Sequence, residues 1–276
     1  MIERSHIFGK DNRLVGICTE PSAGFRKTQA PAFLLLNAGI IHRVGPFRLY
    51  VDLARLLATH GYTTLRFDLS GIGDSLPGKD NRPEHDRVMA DIADAMDMLE
   101  AKKGIKKFVL SGLCWGADMS HDCAVLEARV AGAVLLDAYG YPTFGFFLRD
   151  RVFPLLHWTK WIKNIRKILN HLLTKGAHPP QKKGPNIFNR QFPPKNKVVT
   201  EIKGLISRNM KLLYIYSGGV PVYYNYGNQF RDMFKCINFS NCVEVAYFKE
   251  ADHLFGQLAV RKRMFDCILK WLDNSF

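Results

Sequence analysis

The sequence predicts an α/β protein, a mostly parallel sheet with helices on both faces and an inserted basic segment. Three observations carry that expectation. Apolar strand-like runs alternate with helical stretches over most of the chain, the pattern of repeated β-α units. One unit, "VLSGLCWGAD" (109–118), passes from an apolar strand through a glycine-flanked turn into a helix, with Cys114 at the apex. The charge is also lopsided. Of a formal net +14, the segment from Arg149 to Lys211 carries fifteen Lys or Arg against two acids, Asp150 and Glu201. Such asymmetry bears on partners rather than on fold.

The elements follow in order. "SHIFG" and "RLVGICTE" read as short strands of a hairpin, separated by the turn residues Lys10-Asp11-Asn12. "APAFLLLNAG" is a continuous apolar run, as suits the buried middle of a parallel sheet. Phe47, Tyr50, Leu53, Leu56 and Leu57 recur at helical spacing, and Gly61 closes that helix. "YTTLRFD" is the next strand, and "PEHDRVMADIADAMDMLEAKKG" a helix with Met89, Ile92, Met96 and Leu99 along one face. "KKFVLSG" and "VAGAVLLDAYG" are strands on either side of the Cys114 helix. The rhythm resumes with the strand "MKLLYIYSGG", a helix-like "YYNYGNQFRDMFK", the strand "CVEVAYF", and a last helix from about Phe255 to Leu272.

Residues 1–143 and 211–276 therefore read as one core, interrupted by an insertion over 144–210. A chain of 276 residues with 47% hydrophobic content suits one large domain with a sizeable core. The insertion opens with "VFPLLHWTKWIKNIRKILNHLL", basic, aromatic and amphipathic, and continues with a stretch rich in Pro, Gly and Lys. Lying between two strands on the side where strands end, it would act as a lid. The charged start "MIERSHIFGK" lacks the apolar stretch of a signal peptide, and no run of 18 or more apolar residues occurs. The six cysteines are scattered, with neither C-x-x-C nor zinc-type spacing, which suits reduced thiols in the cytoplasm.

G-x-C-x-G at a strand-to-helix turn is a nucleophile elbow with Cys in place of Ser; alone, it reads equally well as a structural cysteine. Three further stretches accompany it: "LRFDLSGIGDS" (65–75), with its D-x-x-G-x-G-x-S pattern, "LLLNAGI" (34–40), and "EADHLF" (250–255). Together, in this order and spacing, they resemble the α/β-hydrolase superfamily over most of the chain. The stretch from "NAGIIHRVG" to "GIGDS" is most similar to small hydrolases associated with exosortase and exopolysaccharide systems, near the serine-aminopeptidase-like branch.

The resemblance implies the α/β-hydrolase fold with a lid, and it implies roles. Cys114 would be the nucleophile and His253 the base, with the backbone amides of Trp115 and Ala38 as the oxyanion hole. The family's acid is expected after the seventh strand, but there the chain reads "YSGGVPVYYNYGN", with no acid before Asp232. Asp137, closing the sixth strand, is the substitute, since some α/β-hydrolases place the acid there. Asp252 adjoins His253, so its side chain is expected to point elsewhere. His42 and Arg43 follow the oxyanion loop, where they either contact a polar or acidic substrate group or belong to a solvated loop. Asp68 and Asp74 read as turn-holding residues. No metal or organic cofactor is implied, and the G-x-G-x-x-G spacing of dinucleotide binding is absent.

A cysteine nucleophile forms a thioester, which favours exchange with thioesters and transfer to amines or thiols, while esterase and thioesterase chemistry stay open. The expected substrate is an acyl ester or thioester. The basic insertion could dock an acidic carrier protein or coenzyme A phosphates. It could instead contact an anionic membrane surface through Trp158, Trp161, Ile162, Ile165 and Ile168, leaving a cytoplasmic protein peripheral to the membrane. Or it is a plain lid with solvated charges. No nucleic-acid-binding motif accompanies the charge, so nucleic acid is not an expected partner. The rival reading is a non-catalytic homologue that binds a carrier protein or a membrane.

Overall fold

The computed structural model describes residues 1–27, 29–79, 81–152 and 190–276. Its framework is an eight-stranded sheet in the order β1-β2-β4-β3-β5-β6-β7-β8. The strands are β1 (Ile2–Phe8), β2 (Leu14–Glu20), β3 (Ala32–Leu36), β4 (Thr64–Asp68), β5 (Phe108–Leu113), β6 (Val130–Leu136), β7 (Lys211–Ser217) and β8 (Val243–Phe248). β1 and β2 form the antiparallel hairpin, in register from Ile2 opposite Glu20 to Phe8 opposite Leu14. β2 meets β4 antiparallel, and every pairing beyond that is parallel. Asp11 and Asn12 take positive φ in the hairpin turn, a conformation their short polar side chains tolerate better than most.

Continuous apolar runs are needed where a strand is covered on both faces, and β3 and β5 are buried at every position. Side chains alternate between the faces. Phe33 and Leu35 join a core with the helices α1 (Leu49–Thr59) and α7 (Leu258–Ser275). Leu34 and Leu36 join the opposite core, with α2 (Glu84–Lys103) and α3 (Trp115–Leu126). A short α4 (Phe144–Phe147), capped by the Thr143 hydroxyl accepting from the Phe146 amide, leads towards residues 153–189, which lie outside the described residues. α5 (Lys195–Ser207) falls inside the stretch expected to be insertion, yet Val198, Ile202 and Leu205 on its inner face enter the α2/α3 core. The aromatic residues expected to favour a membrane, Trp158 to Ile168, are outside the described residues. Among the described residues, no helix is long and apolar enough to cross a membrane.

Two elements differ from expectation. Phe47 lies outside α1, which begins at Leu49; it sits in a short 3-10 turn, Pro46–Arg48, where its own φ of +48 is not helical, and it is 65% exposed. Of "YYNYGNQFRDMFK", only α6 (Gln229–Met233) is helical. The tyrosines before it are held in a turn, Tyr224 stacking on Tyr216 at 3.7 Å. The Gln229 amide bridges the Tyr141 and Tyr223 carbonyls, which stops the helix from extending backwards.

The contact that fixes the position of α3 is steric. A Cβ on Gly112 would come within 2.2 Å of the Gly116 backbone, so β5 and the first turn of α3 meet with no side chain between them. Gly204 on α5 has open space around it. Gly112→Ala should therefore lower stability by roughly 1–3 kcal/mol through overpacking, whereas Gly204→Ala should raise it by roughly 0.5–1 kcal/mol through helix propensity. Urea unfolding midpoints of the two variants check both signs.

Candidate active site

Cys114 caps α3 with φ +59 and ψ −118, a backbone conformation that an L-residue adopts only under constraint. Strain of this kind is typically worth ~1–3 kcal/mol and persists where the surroundings over-determine it. Here the Cys114 amide donates to the Leu136 carbonyl at 2.9 Å, and its carbonyl accepts from Ala117 at 3.0 Å. One residue earlier, the Leu113 amide donates to the Tyr50 hydroxyl at 3.1 Å. The result holds the thiol clear of the sheet at the start of a helix, where amides are unpaired and the dipole favours negative charge.

Asp137 follows β6 directly, with φ +47 and no exposed surface. Its carboxylate accepts from the Ser217 amide and the Ser217 hydroxyl, both at 2.6 Å, and meets His253 Nδ1 at 2.7 Å. Cys114 and His253 line the same cleft, close enough for each to shift the other's proton affinity. The structure thus brings Cys114, His253 and Asp137 together from the ends of β5, β8 and β6, with the histidine bonded to the acid. The loop after β7 supplies no carboxylate to it; it presses so closely on the histidine that a Cβ on Gly219 would lie 2.1 Å from the His253 amide nitrogen. Asp252 turns away, accepting from the Leu254 amide at 2.8 Å and the Gly256 amide at 3.0 Å.

The electrostatics separate Cys114 from its fellow cysteines. Burial, with neighbouring acids adding to it, pushes Cys18 and Cys123 up to about 12 and raises Cys267. Burial also works against the Cys114 thiolate. The neighbouring His253, the Arg190 guanidinium and the Trp115 amide together outweigh it and bring the thiol below its ordinary value. For His253, burial opposes the proton, but the hydrogen bond to Asp137, the neighbouring Cys114 and the charges of both push it up to about 9. Both shifts run towards the thiolate–imidazolium pair.

Ala38 and Trp115 both line the cleft that opens over Cys114, about 680 Å³ in volume and walled largely by apolar side chains such as Ile40, Ile41, Ile72 and Leu254, with Glu84, Arg190 and His253 also lining it. Among the described residues, neither of their two amides donates to a backbone carbonyl outside a helix or strand. The loop that carries Ala38 is held from below by Asn37 and Asp68, neither with exposed surface. Asn37 donates to Asp68 at 3.0 Å and to the Ile41 carbonyl at 2.9 Å, and accepts from the Leu69 amide at 2.8 Å.

His42 and Arg43 do not line this cleft. Arg43 donates to Asp68 from its guanidinium and, at 2.6 Å, from its backbone amide, and it pairs with Asp74 at 2.7 Å. His42 lies 3.4 Å from both carboxylates. The pair thus forms a clamp between the loops after β3 and β4. His42, Asp68 and Asp74 are the group among the described residues that could gather round a metal ion, but the Arg43 guanidinium already stands among them.

Two residues at the site were not anticipated. Ser217 closes β7 beside Asp137 and gives no sign in the sequence beyond its place before a Gly-Gly pair. Arg190 lies in the basic segment, one of many like charges, yet it reaches the nucleophile turn. It pairs with both Asp118 oxygens at 2.6 Å, donates to the Asp137 and Cys114 carbonyls at 2.9 and 3.1 Å, and approaches Cys114 Sγ at 3.6 Å.

The alpha/beta hydrolase fold family model matches residues 31–174. No curated protein is similar enough to match. Solved structures of similar fold include an esterase of Pyrococcus furiosus, 12% identical, with a TM-score of 0.60 over 99% of this chain and 91% of that one. The proline iminopeptidase of Mycobacterium smegmatis is 14% identical, with a TM-score of 0.61 over 99% and 98% of the two chains. An alpha-beta serine hydrolase homologue from Coxiella burnetii is 15% identical, with a TM-score of 0.57 over 98% and 97%. At such identities these likenesses speak for the fold alone. With the strand order, the elbow after β5 and the family match over more than half its length, the chain belongs to the α/β-hydrolase fold family.

Proposed function

We propose that this protein is a cysteine-dependent acyl-transfer enzyme that cleaves an acyl thioester or ester through an S-acyl intermediate on Cys114. The observation that carries this reading is the His253–Asp137 hydrogen bond at 2.7 Å, with His253 and Cys114 together lining a largely apolar cleft. The Cys114 sulfur attacks the acyl carbonyl carbon. The oxyanion that forms is met by the Trp115 and Ala38 amides at the start of α3 and in the loop after β3. His253 delivers the thiol's proton to the departing oxygen or sulfur, the bond to the leaving group breaks, and the acyl group remains on Cys114 as a thioester. An acceptor, water or an alcohol, amine or thiol, then attacks that carbonyl. His253 takes its proton and Cys114 departs as a thiolate, the form its surroundings favour. Asp137 fixes the ring so that its other nitrogen faces the sulfur.

Apolar walls support an apolar acyl group. The charge of the segment from Arg149 to Lys211 supports an acidic carrier protein or coenzyme A as the donor of that group, and the same charge would serve an anionic membrane surface. A non-catalytic homologue is the alternative reading; the buried carboxylate of Asp137, bonded to the histidine where the loop after β7 offers no acid, supports the catalytic one.

Intact-protein mass spectrometry after mixing with a panel of acyl thioesters tests the reading. The wild type should gain the mass of one acyl group and Cys114→Ala none; an adduct of equal size in both would sink the proposal. Turnover should follow a bell in pH. It rises as Cys114 loses its proton, at a pH below that of an ordinary thiol, and falls as His253 loses its own near 9. Asp137→Asn removes a charge that favours the imidazolium, so the alkaline limb should move to lower pH and kcat should fall by roughly 10²–10⁴. An alkaline limb unchanged in that variant would mean that Asp137 does not act on His253.

A further inference from the structure

Arg190 is a cation that faces Cys114 from outside the His253–Asp137 pair, and its setting is built. Its Nε and Nη2 take the two oxygens of Asp118, on the first turn of α3, in a fork-to-fork pair. Nη2 also donates to the carbonyl of Cys114 itself. Nη1 donates to the carbonyl of Asp137 at 2.9 Å and lies 3.4 Å from the Tyr223 hydroxyl, which donates to the same carbonyl at 3.2 Å. The guanidinium rests over the Phe192 ring, 4.9 Å from its centroid. With its donors engaged in this way, Arg190 is not free to bind a substrate carboxylate. Its geometry is that of a clasp.

What it clasps are the two residues of the site with strained backbones, Cys114 at φ +59 and Asp137 at φ +47. One guanidinium fixes the carbonyl of each, and so sets the distance between the nucleophile turn and the acid turn. The same group places a positive charge 3.6 Å from the sulfur. The other groups facing Cys114 are His253 from the loop after β8, Tyr223 from the loop after β7, Tyr50 on α1, Asp118 on α3 and Glu84 at the rim of the cleft. Asp118 is bound by Arg190 and Asp137 by His253, so each acid is matched to its own cation.

We propose that Arg190 is a positioning residue for the S-acyl chemistry: it locks the Cys114 and Asp137 turns together and holds the sulfur as a thiolate between two cations. This rests on Cys114 being the nucleophile. It also means that the basic segment contributes a residue to the reacting centre, whatever else its charge does.

The test is the pH dependence of Cys114 alkylation by iodoacetamide, followed on the Cys114 peptide so that the other cysteines do not interfere, with acyl-thioester turnover measured alongside. Arg190→Gln should move the alkylation midpoint upward and slow the reaction at pH 7 by about tenfold or more, in keeping with a lost neighbouring cation. Arg190→Lys keeps a charge and loses the fork. Its midpoint should stay near that of the wild type while kcat falls, with KM little changed. A purely structural residue would lower the melting temperature in both variants without moving either midpoint. If Arg190→Gln fails to fold, Asp118→Asn, which breaks the fork from the other side, takes its place in the same assay. An unshifted midpoint in a folded Gln or Asn variant overturns the role of Arg190 and leaves the nucleophile reading intact. A wild-type Cys114 that titrates as an ordinary thiol overturns both.

Discussion

A carboxylate with no exposed surface lies under the histidine of this site, and the surrounding geometry depends on how its oxygens are satisfied. Polar oxygens buried without partners carry the full cost of lost hydration. Asp137 is given three partners: the amide and hydroxyl of Ser217 and the ring of His253. Two of the three come from one residue on the neighbouring strand, so the register between β6 and β7 is itself part of the site. From this buried anchor the rest follows outward: the ring of His253 held in place, then the thiol that shares its cleft.

Nucleophile and acid are more closely joined than their separation in the chain suggests. Both stand immediately beyond adjacent parallel strands, and the Cys114 amide donates to the carbonyl just before Asp137. Each has a positive φ, and each turn is fixed at its carbonyl by Arg190. Strain at one turn is therefore offset by bonds that also fix the other, and the pair behaves as a single unit. Beside it, the loop bearing Ala38 is set by a separate arrangement, Asn37 and Asp68 with Arg43. The two halves of the site are thus positioned by independent networks that meet at the cleft.

The sheet was legible because its central strands must be apolar at every position, and few other structures impose that pattern. The hairpin, α2 and the last helix could be read from turn residues and periodicity. Where the reading failed, tertiary contacts overrode the local pattern. Phe47 has the spacing of a helical core residue but lies in a strained turn before α1, and the tyrosines at 223–226 pack on the sheet's end instead of forming a helix. At the site, Cys114, His253 and Asp137 could be proposed because each sits at a strand end, a place visible in the sequence. Arg190 could not. The residues it clasps, Cys114, Asp118 and Asp137, are more than fifty residues away in the chain, and nothing local distinguishes it from the other cations of its segment. His42 and Arg43 show the converse, residues whose position near the oxyanion loop suggested contact with substrate while the buried Asp68 had a stronger claim on them.

The fit between Gly219 and the backbone of His253 has a consequence for how such a site can change over generations. With the carboxylate on β6, the loop after β7 is relieved of supplying one and has closed to fill the room. Its two leading positions, Gly218 and Gly219, now abut the Lys249 carbonyl and the His253 amide with no space for a side chain. An aspartate arriving at either by a single codon change would displace the histidine it was meant to serve. The two placements of the acid are therefore not interchangeable by small steps, and a lineage built on this one is committed to it.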